Sequence, residues 1–576
     1  MARWVFTQKN NDLLRGPRRV PPAILSILQE RGVTEPSCVE DFLAPFPKLT
    51  HDPFLLNDMA QAAQTVVQTA LGGGRICVYG DYDADGVTSA ALLLCTLRAI
   101  SDRVRYYIPS RFHEGYGLST QAIDTIASEG IDLIITVDCG STSVSEAAHA
   151  KSLGIELIIT DHHSPAPDAT PDCLFINPKR SDSTYPFPHL SGCGVAFKLA
   201  QAIQRLLEQQ GDGRFLKADL NRLLDLVAIS TVADVVPLLD ENRTLVKYGL
   251  EFINRREREG LDALLEAVDF GEREVEAGHI AYMIAPNINA QGRMESADPG
   301  VDLLCGDADG RSGLDRIARD MAANNRARKA EQEKTHRLCE KIIGQGGSGE
   351  LFPVVYAPDA HEGVAGIVAG HLKESLYRPV FIVTDGEEGL VKGTGRSVPG
   401  LDLHGMLSSV APLFERFGGH AGACGFTMKK QNLERFRQAM QEAMAEALRA
   451  DPDILTEEIK VVKVLDASEK TLEFAETLRL LEPHGEANPK PLFASGPSRV
   501  ESVHRMGTEE EHARFMLRTG DGTMLPCILF RRAAEYGMYL QPGAVVDVAG
   551  ELGINEFRDT RSLQLVARDI RRGDGA

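Results

Sequence analysis

Three carboxylates at alternating positions, Asp81, Asp83 and Asp85, follow the apolar run Ile76–Tyr79 and lead into Gly86. Acids this crowded repel one another strongly unless a cation offsets them. Asp-x-Asp-x-Asp-Gly also opens a calcium loop, but that loop needs Glu six residues after its glycine, and position 92 is Leu. The arrangement then recurs. Residues Leu133–Val137 run into Asp138, and Glu156–Thr160 runs into Asp161, His162 and His163. A fourth acid, Asp234, closes the apolar stretch 226–233 and is read with the others as a strand-end signal. Singly, each is a cap or turn residue. Several strand ends of one sheet delivering Asp or His to the same edge describe a ligand site. Many carboxylates with one or two imidazoles suit Mn²⁺ or Mg²⁺, and zinc is disfavoured because no thiolate set accompanies them. An Asp shared by two ions would hold them about 4 Å apart, the spacing of two-metal phosphoryl chemistry, with a nearby His donating to the charged phosphate oxygens.

The elements that must position these residues follow from the pattern. Short apolar runs at 76–79, 104–108, 133–137 and 157–160 alternate with helix-length stretches, which argues for a parallel sheet covered by helices. A second α/β block at about 350–450 carries strand candidates at 352–356 and 380–383. Between the blocks, residues 314–343 lack Pro and Gly and read as one long helix. After about 455, strand-like segments at 514–518, 525–530, 544–552 and 562–570 sit between Gly-rich turns. They suit a small antiparallel barrel or a β-sandwich equally. The first fifty residues are Pro-rich, with a short helical pattern at 23–31.

Composition sets the outer limits. At 576 residues, with 43% apolar and 25% charged side chains, disordered, collagenous and coiled-coil classes are excluded, and three to four domains are expected. The formal charge of −20 is a poor default for binding nucleic acid, but it is unevenly spread: residues 311–343 carry nine Lys/Arg against five acids. Ten cysteines without a Cys-x-x-Cys pair read as reduced cytosolic thiols. The N-terminus has no apolar signal core and no run is long enough to cross a bilayer, so the expectation is a cytoplasmic protein with no membrane partner.

In order along the chain, Gly80-Asp-Tyr-Asp-Ala-Asp-Gly86, Val137-Asp-Cys-Gly140, Asp161-His-His163 and Val232-Ala-Asp-Val-Val236 resemble the four motifs of the DHH phosphoesterase superfamily, in its branch of single-strand-specific DNA exonucleases. The blocks at 108–117, 190–198, 284–293 and 417–425 extend the resemblance over nearly the whole chain. It implies that Asp83, Asp85, Asp138, His162 and Asp234 hold two ions, Mn²⁺ or Mg²⁺, with Asp138 as the bridge and Asp81 either a ligand or beside one. His163 would face the scissile phosphate, and Asp161 would orient His162 through a hydrogen bond.

The second block holds three Gly-rich features, at 361–366, 392–397 and 418–420, where small residues let backbone N–H groups close on a phosphate beside Lys392, Arg396 and His420. By resemblance this is the DHH-associated domain, although position 360 is Ala where Trp is common in the family. Arg111, Arg293, Thr394 and Arg396 fall in motifs that, by resemblance, hold a terminal 5′-phosphate. Tyr116 is either part of a flexible turn or a stacking surface for a base. In the C-terminal segment Phe515, Phe530, Tyr536 and Phe557 are groove or core residues.

The expected architecture is therefore α/β: an N-terminal extension (1–50), a parallel-sheet DHH catalytic domain (51–310), a connecting helix (311–345), a DHH-associated domain (346–452) and an OB-type β-barrel (453–576). The resemblance implies a metal-dependent exonuclease that digests single-stranded DNA 5′→3′ to 5′-mononucleotides in recombination and repair. A helicase and a single-strand-binding protein are the implied partners, and a monomer is the expected state. The alternatives are a small-substrate phosphoesterase of the same superfamily and a non-catalytic single-strand-binding replication protein.

Overall fold

The computed structural model describes residues 2–7, 20–111, 114, 117–166, 169–294, 296–346, 350–387, 389–557 and 560–573. Its strands, in chain order, begin with β1 (Arg3–Phe6). They continue with β2 (Ile76–Tyr79), β3 (Val104–Tyr107), β4 (Leu133–Val137), β5 (Glu156–Thr160) and β6 (Leu174–Ile176). The five from β2 to β6 form a parallel sheet in the order β3-β2-β4-β5-β6. Every residue of β2 and β4 is buried, as expected of strands covered on both faces. The chain steps outward from β2 to β3 and then returns to the other side of β2 as β4. That reversal opens a crevice at the carboxyl ends of β2 and β4.

The run before Asp234 departs from the strand reading. It is the helix Leu224–Ala233, with Asp234 as its C-cap. A continuous apolar run is equally compatible with a buried strand and a buried helix, and residues 224–231 are buried all round.

Two compact units make up the chain. One holds Trp4–Gly292, Ser296–Arg319 and Lys460–Ala576; the other is built mainly from Asp320–Ile459. The helix expected at 314–343 spans Gly310–Gly346. In the second unit, β7 (Val354–Tyr356), β8 (Val380–Asp385), β9 (Leu390–Arg396), β10 (Phe414–His420) and β11 (Ala423–Lys429) form a mixed sheet in the order β10-β11-β9-β8-β7. One face packs Phe381, Phe426 and Phe436; the other packs Val355, Val368 and Ile382.

Beyond β12 (Glu458–Val461), the C-terminal strands are β13 (Leu492–Ala494), β14 (Ser498–Met506), β15 (His512–Thr519), β16 (Met524–Leu529), β17 (Val545–Phe557) and β18 (Thr560–Arg572). The order β17-β14-β15-β16-β18 closes through a β17–β18 pairing, so this is a barrel and not a sandwich. Its core is not its own. Ile24, Leu28, Val39 and Phe42 from the helices Pro22–Glu30 and Pro36–Leu43 belong to the same buried cluster as Phe493, Phe515 and Ile570.

Arg243, on the helix Asp240–Asn254, ties this cluster to the unit that holds the parallel sheet. It is 2% exposed, stacks 3.8 Å from the Phe42 ring centroid, and donates to the carbonyls of Phe42, Leu480, Leu481 and Glu482. No helix of the described residues is long and apolar enough to cross a membrane.

Candidate metal centre

Parallel register brings the acidic strand ends together. Tyr79 pairs with Thr136, and Val137 with Thr160. Asp81, Asp138 and Asp161 therefore leave the sheet side by side. Asp138 turns out in the left-handed region at φ 61°, a strained conformation for a residue with a Cβ. The His162 Nε2 lies 3.2 Å from Asp138 Oδ1, 3.5 Å from Asp234 Oδ2 and 3.7 Å from Asp85 Oδ2. Donor atoms within 4.8 Å of one another define three sets: Asp81–Asp83–Asp138, Asp85–His162–Asp234 and Asp138–His162–His163. Asp138 belongs to two of them, on either side of the crevice.

Hydrogen bonds brace Asp83 through one oxygen and Asp85 through both. Asp83 caps the helix Ala84–Arg98, its Oδ1 accepting from the N–H groups of Asp85 (2.9 Å) and Gly86 (3.1 Å). The Oδ1 of Asp85 accepts from Cys193 N (2.8 Å) and Ser230 Oγ (2.6 Å), and its Oδ2 from Gly192 N (2.8 Å). These N–H groups open the helix Gly192–Gln209, where the helix dipole favours an anion. Gly86 permits the tight start of its helix, since a Cβ there would lie 2.4 Å from the Asp81 carbonyl oxygen.

Asp161 departs from its expected role. Its Oδ1 reaches the ring of His163 (Nδ1, 2.8 Å) and only the main-chain N–H of His162 (2.7 Å), while Oδ2 accepts from Ser141 N (2.8 Å). The imidazole it orients is His163, whose ring meets that of His162 edge to face, with centroids 4.6 Å apart and planes at 65°.

Charge crowding is severe. Burial, then the charges of Asp85, Asp83 and Asp81, hold the Asp138 carboxyl well above the usual range. Burial and the charges of Asp85 and Asp83 push Asp234 to about 8. Burial depresses His162. Burial also works against His163, but the hydrogen bond and charge of Asp161 outweigh it and raise that imidazole to about 9. Asp138 Oδ1 and both ring nitrogens of His162 are buried without a hydrogen-bond partner. Orphaned acceptors within a carboxylate–imidazole cage are the atoms a divalent cation would satisfy, so the donor set fits hard or borderline ions.

Comparison with known proteins places the chain in a family. Models of the DHH family N-terminal domain, the DHHA1 domain and the RecJ OB domain match residues 75–231, 351–446 and 463–569. The single-stranded-DNA-specific exonuclease RecJ of Bacillus subtilis is 35% identical over 573 residues, covering 98% of this chain and 70% of its own. The chain belongs to the RecJ family. RecJ from Thermus thermophilus in complex with Mn²⁺ superposes with a TM-score of 0.81 at 31% identity, covering 96% of this chain and 76% of that one. Its Mg²⁺ complex gives 0.75 at 30% identity, covering 96% and 75%.

In the DHHA1 part of this RecJ family member, two of the three Gly-rich features are strand segments, and the third, 361–366, opens the helix Glu362–Leu376. Residues 392–396 lie in β9 and 418–420 in β10. Gly393 and Gly395 are small because Phe426 and Phe381 press on them; an added Cβ would lie 2.1 and 2.4 Å from those rings. Strand alternation instead puts Lys392, Thr394 and Arg396 on the opposite face. Thr394 and Arg396 border Gly366 of the helix Glu362–Leu376, at 3.1 and 3.2 Å from where its Cβ would stand. Arg293 donates to Gly363 O (3.1 Å) at the start of that helix, whose N-cap is His361. Ala423 pairs with both Arg396 and His420, which sets these two in one row across the sheet.

Lys392 is taken up by an ion pair with Glu362 at 2.7 Å, whereas among the described residues no carboxylate pairs with Arg396. Arg111 lies over the Tyr82 ring, 5.4 Å from its centroid. Tyr116 lies outside the described residues. In the OB barrel Phe515 and Tyr536 are core, while Phe530 is exposed against the edge of His512. Ser230, Gly192 and Cys193, which fix Asp85, carried no sequence signal for that role.

Proposed function

We propose that this chain is a Mn²⁺- or Mg²⁺-dependent exonuclease that hydrolyses single-stranded DNA from the 5′ end to 5′-mononucleotides. The observation that carries the reading is the cage of Asp81, Asp83, Asp85, Asp138, His162 and Asp234, in which Asp138 Oδ1 and both ring nitrogens of His162 find no hydrogen-bond partner among the described residues. The RecJ relatives are single-stranded-DNA-specific exonucleases, and the Thermus thermophilus structures hold Mn²⁺ and Mg²⁺.

Divalent ions held by these residues would supply the charge neutralisation and water activation that phosphodiester hydrolysis needs. The chain's own groups do the rest. Asp138 serves both halves of the cage from a single rigid turn. Asp85, braced at Oδ1 by Ser230 and Cys193, keeps Oδ2 aimed at His162. His163, half exposed and tethered by Asp161, donates a hydrogen bond to a non-bridging phosphate oxygen. Arg396, with Thr394 and Arg293 at the start of one helix, receives the terminal 5′-phosphate, and an end-anchored phosphate makes release stepwise. Arg111 contacts the strand near Asp81, and the exposed Phe530 of the barrel stacks on a base farther along. Such an activity serves recombination and repair in the cytoplasm, on strands exposed by a helicase and covered by a single-strand-binding protein.

Digestion of 5′- and 3′-end-labelled single strands, duplexes and a dinucleotide, with Mn²⁺, Mg²⁺ or EDTA, tests this. The expected result is immediate release of the 5′ label as a mononucleotide from single strands alone, abolished by EDTA. Early loss of the 3′ label, internal cuts, or a preference for the dinucleotide would overturn it.

A further inference from the structure

Away from the cage, two of the cysteines meet. Cys95, on the helix Ala84–Arg98, and Cys305, the last residue of the helix Asp298–Cys305, have their Sγ atoms 4.0 Å apart. Both are partly exposed, and a cavity of about 360 Å³ lined by Cys95, Asp225, Arg258, Phe215 and Phe252 opens onto the first of them. Arg258 stands at this junction: it donates to Leu304 O (2.7 Å) and to Asp225 Oδ1 (2.9 Å). Arg98, paired with Asp307 at 2.7 Å, flanks the other side.

We propose that Cys95 and Cys305 are a peroxide-sensitive dithiol, with Cys95 the attacking sulfur and Cys305 the resolving one, which closes to a disulfide joining these two helices. The asymmetry of the pair supports the assignment. The hydrogen-bonded contact between the two sulfurs outweighs burial and, with Arg258, brings Cys95 down to about 7, while Cys305 is held well above its ordinary value by its neighbour and by burial. A thiolate near neutrality beside a guanidinium, reachable from solvent, is the form that reacts.

The Cys95 thiolate attacks one oxygen of a hydroperoxide. The O–O bond breaks, an alkoxide or hydroxide leaves, and Cys95 becomes a sulfenic acid. The Cys305 sulfur then attacks Cys95, the S–O bond breaks, and the departing hydroxide takes the Cys305 proton as water. Two thiols lose two electrons and the peroxide gains them. Bond formation needs the sulfurs to close to about 2.05 Å. Cys305 is the last residue of its helix, with Gly306 at φ 78° as the C-cap, so closure falls on a helix end and not on a helix interior.

The test uses the wild-type 576-residue chain, with Cys173 as an internal reference because burial raises that thiol to about 12. At pH 7.5, iodoacetamide is expected to modify Cys95 at least tenfold faster than Cys173. Hydrogen peroxide is expected to yield a Cys95–Cys305 cross-linked peptide that dithiothreitol reverses. In Cys305→Ser, dimedone should trap Cys95 as its sulfenic adduct. Wild-type protein in which Cys95 reacts no faster than Cys173, oxidises without cross-linking, or pairs with another cysteine would overturn the proposal.

Discussion

Gly192 presses directly on Asp138: a Cβ added at position 192 would lie 2.5 Å from the Asp138 Oδ1. The same glycine's N–H holds Asp85. One residue without a side chain thus sets the separation between the shared acid of the cage and the helix that fixes its neighbour. Gly192→Ala should displace Asp138 while leaving the sheet folded. Because a misplacement of about 1 Å costs roughly 100-fold in rate, cleavage of a labelled strand should fall by at least that much. Circular dichroism should be unchanged, and near-normal turnover would remove Asp138 from the centre of the account.

Mutual repulsion in the cage predicts a trade between stability and activity. Asp138→Asn removes a buried charge whose own pKa is driven up by burial and by neighbouring acids. In EDTA this variant should melt at or above the wild-type temperature, yet show no cleavage in Mn²⁺. Wild type should gain stability on adding Mn²⁺, about 2.7 kcal/mol at a hundredfold excess over Kd, and the variant much less. Equal Mn²⁺ shifts in the two proteins, followed by thermal melting, would count against the shared-ligand role.

Asp161 binds no candidate ligand set but steadies His163. In Asp161→Asn either the oxygen facing Ser141 N becomes an NH₂ group, at the loss of one hydrogen bond, or the oxygen facing the His163 ring does, at the loss of the main-chain bonds from His162 and His163 as well. We expect kcat to drop roughly 10–100-fold with little change in KM. A rise in KM at constant kcat would show that His163 acts in binding alone.

Arg396 is half-buried and unpaired with any described acid, and burial lowers its pKa. Hydrogen bonds to charged groups contribute about 1.5–3 kcal/mol, so Arg396→Ala should weaken binding of a 5′-phosphorylated strand roughly tenfold or more. Binding of the 5′-hydroxyl strand should barely change. Fluorescence anisotropy in EDTA measures both, and equal losses would refute a phosphate-specific role.

Lys247 gives a pH dependence. Burial, aided by Arg243, lowers its pKa to about 7, and its Nζ donates to Ala44 O at 2.6 Å. An unfolded lysine titrates near about 10.4. Between those values the unfolded chain binds more protons, so this group makes stability rise with pH across that window. Lys247→Met lacks the effect. The melting temperature of the variant minus that of wild type should be most positive at about pH 6.5 and shrink towards about pH 9.5; a flat difference would refute the lowered pKa.

Much of the cage was legible because a parallel sheet sends successive strand ends to one rim. Asp81, Asp83, Asp85, Asp138 and His162 needed only the run-then-acid pattern. Asp234 was found by the same pattern for a mistaken reason, since its apolar run is a buried helix. Gly192 and Ser230 were invisible: each touches an acid more than fifty residues away in sequence, and neither glycine nor serine announces such a contact. Gly393 and Gly395 misled in the other direction, because aromatic packing and phosphate approach both demand the absence of a Cβ. The short strands β6 and β13, and the longer β14, had no run or alternation strong enough to mark them.

The carbonyls gathered by Arg243 bear on how the protein can be divided. A cut placed before residue 453 would strip that guanidinium of every one of these acceptors but Phe42 and leave the apolar sides of Ile24, Leu28 and Phe42 facing water. A shortened enzyme would therefore have to keep both ends of the polypeptide, and a search for a minimal nuclease should start by deleting loops, not termini.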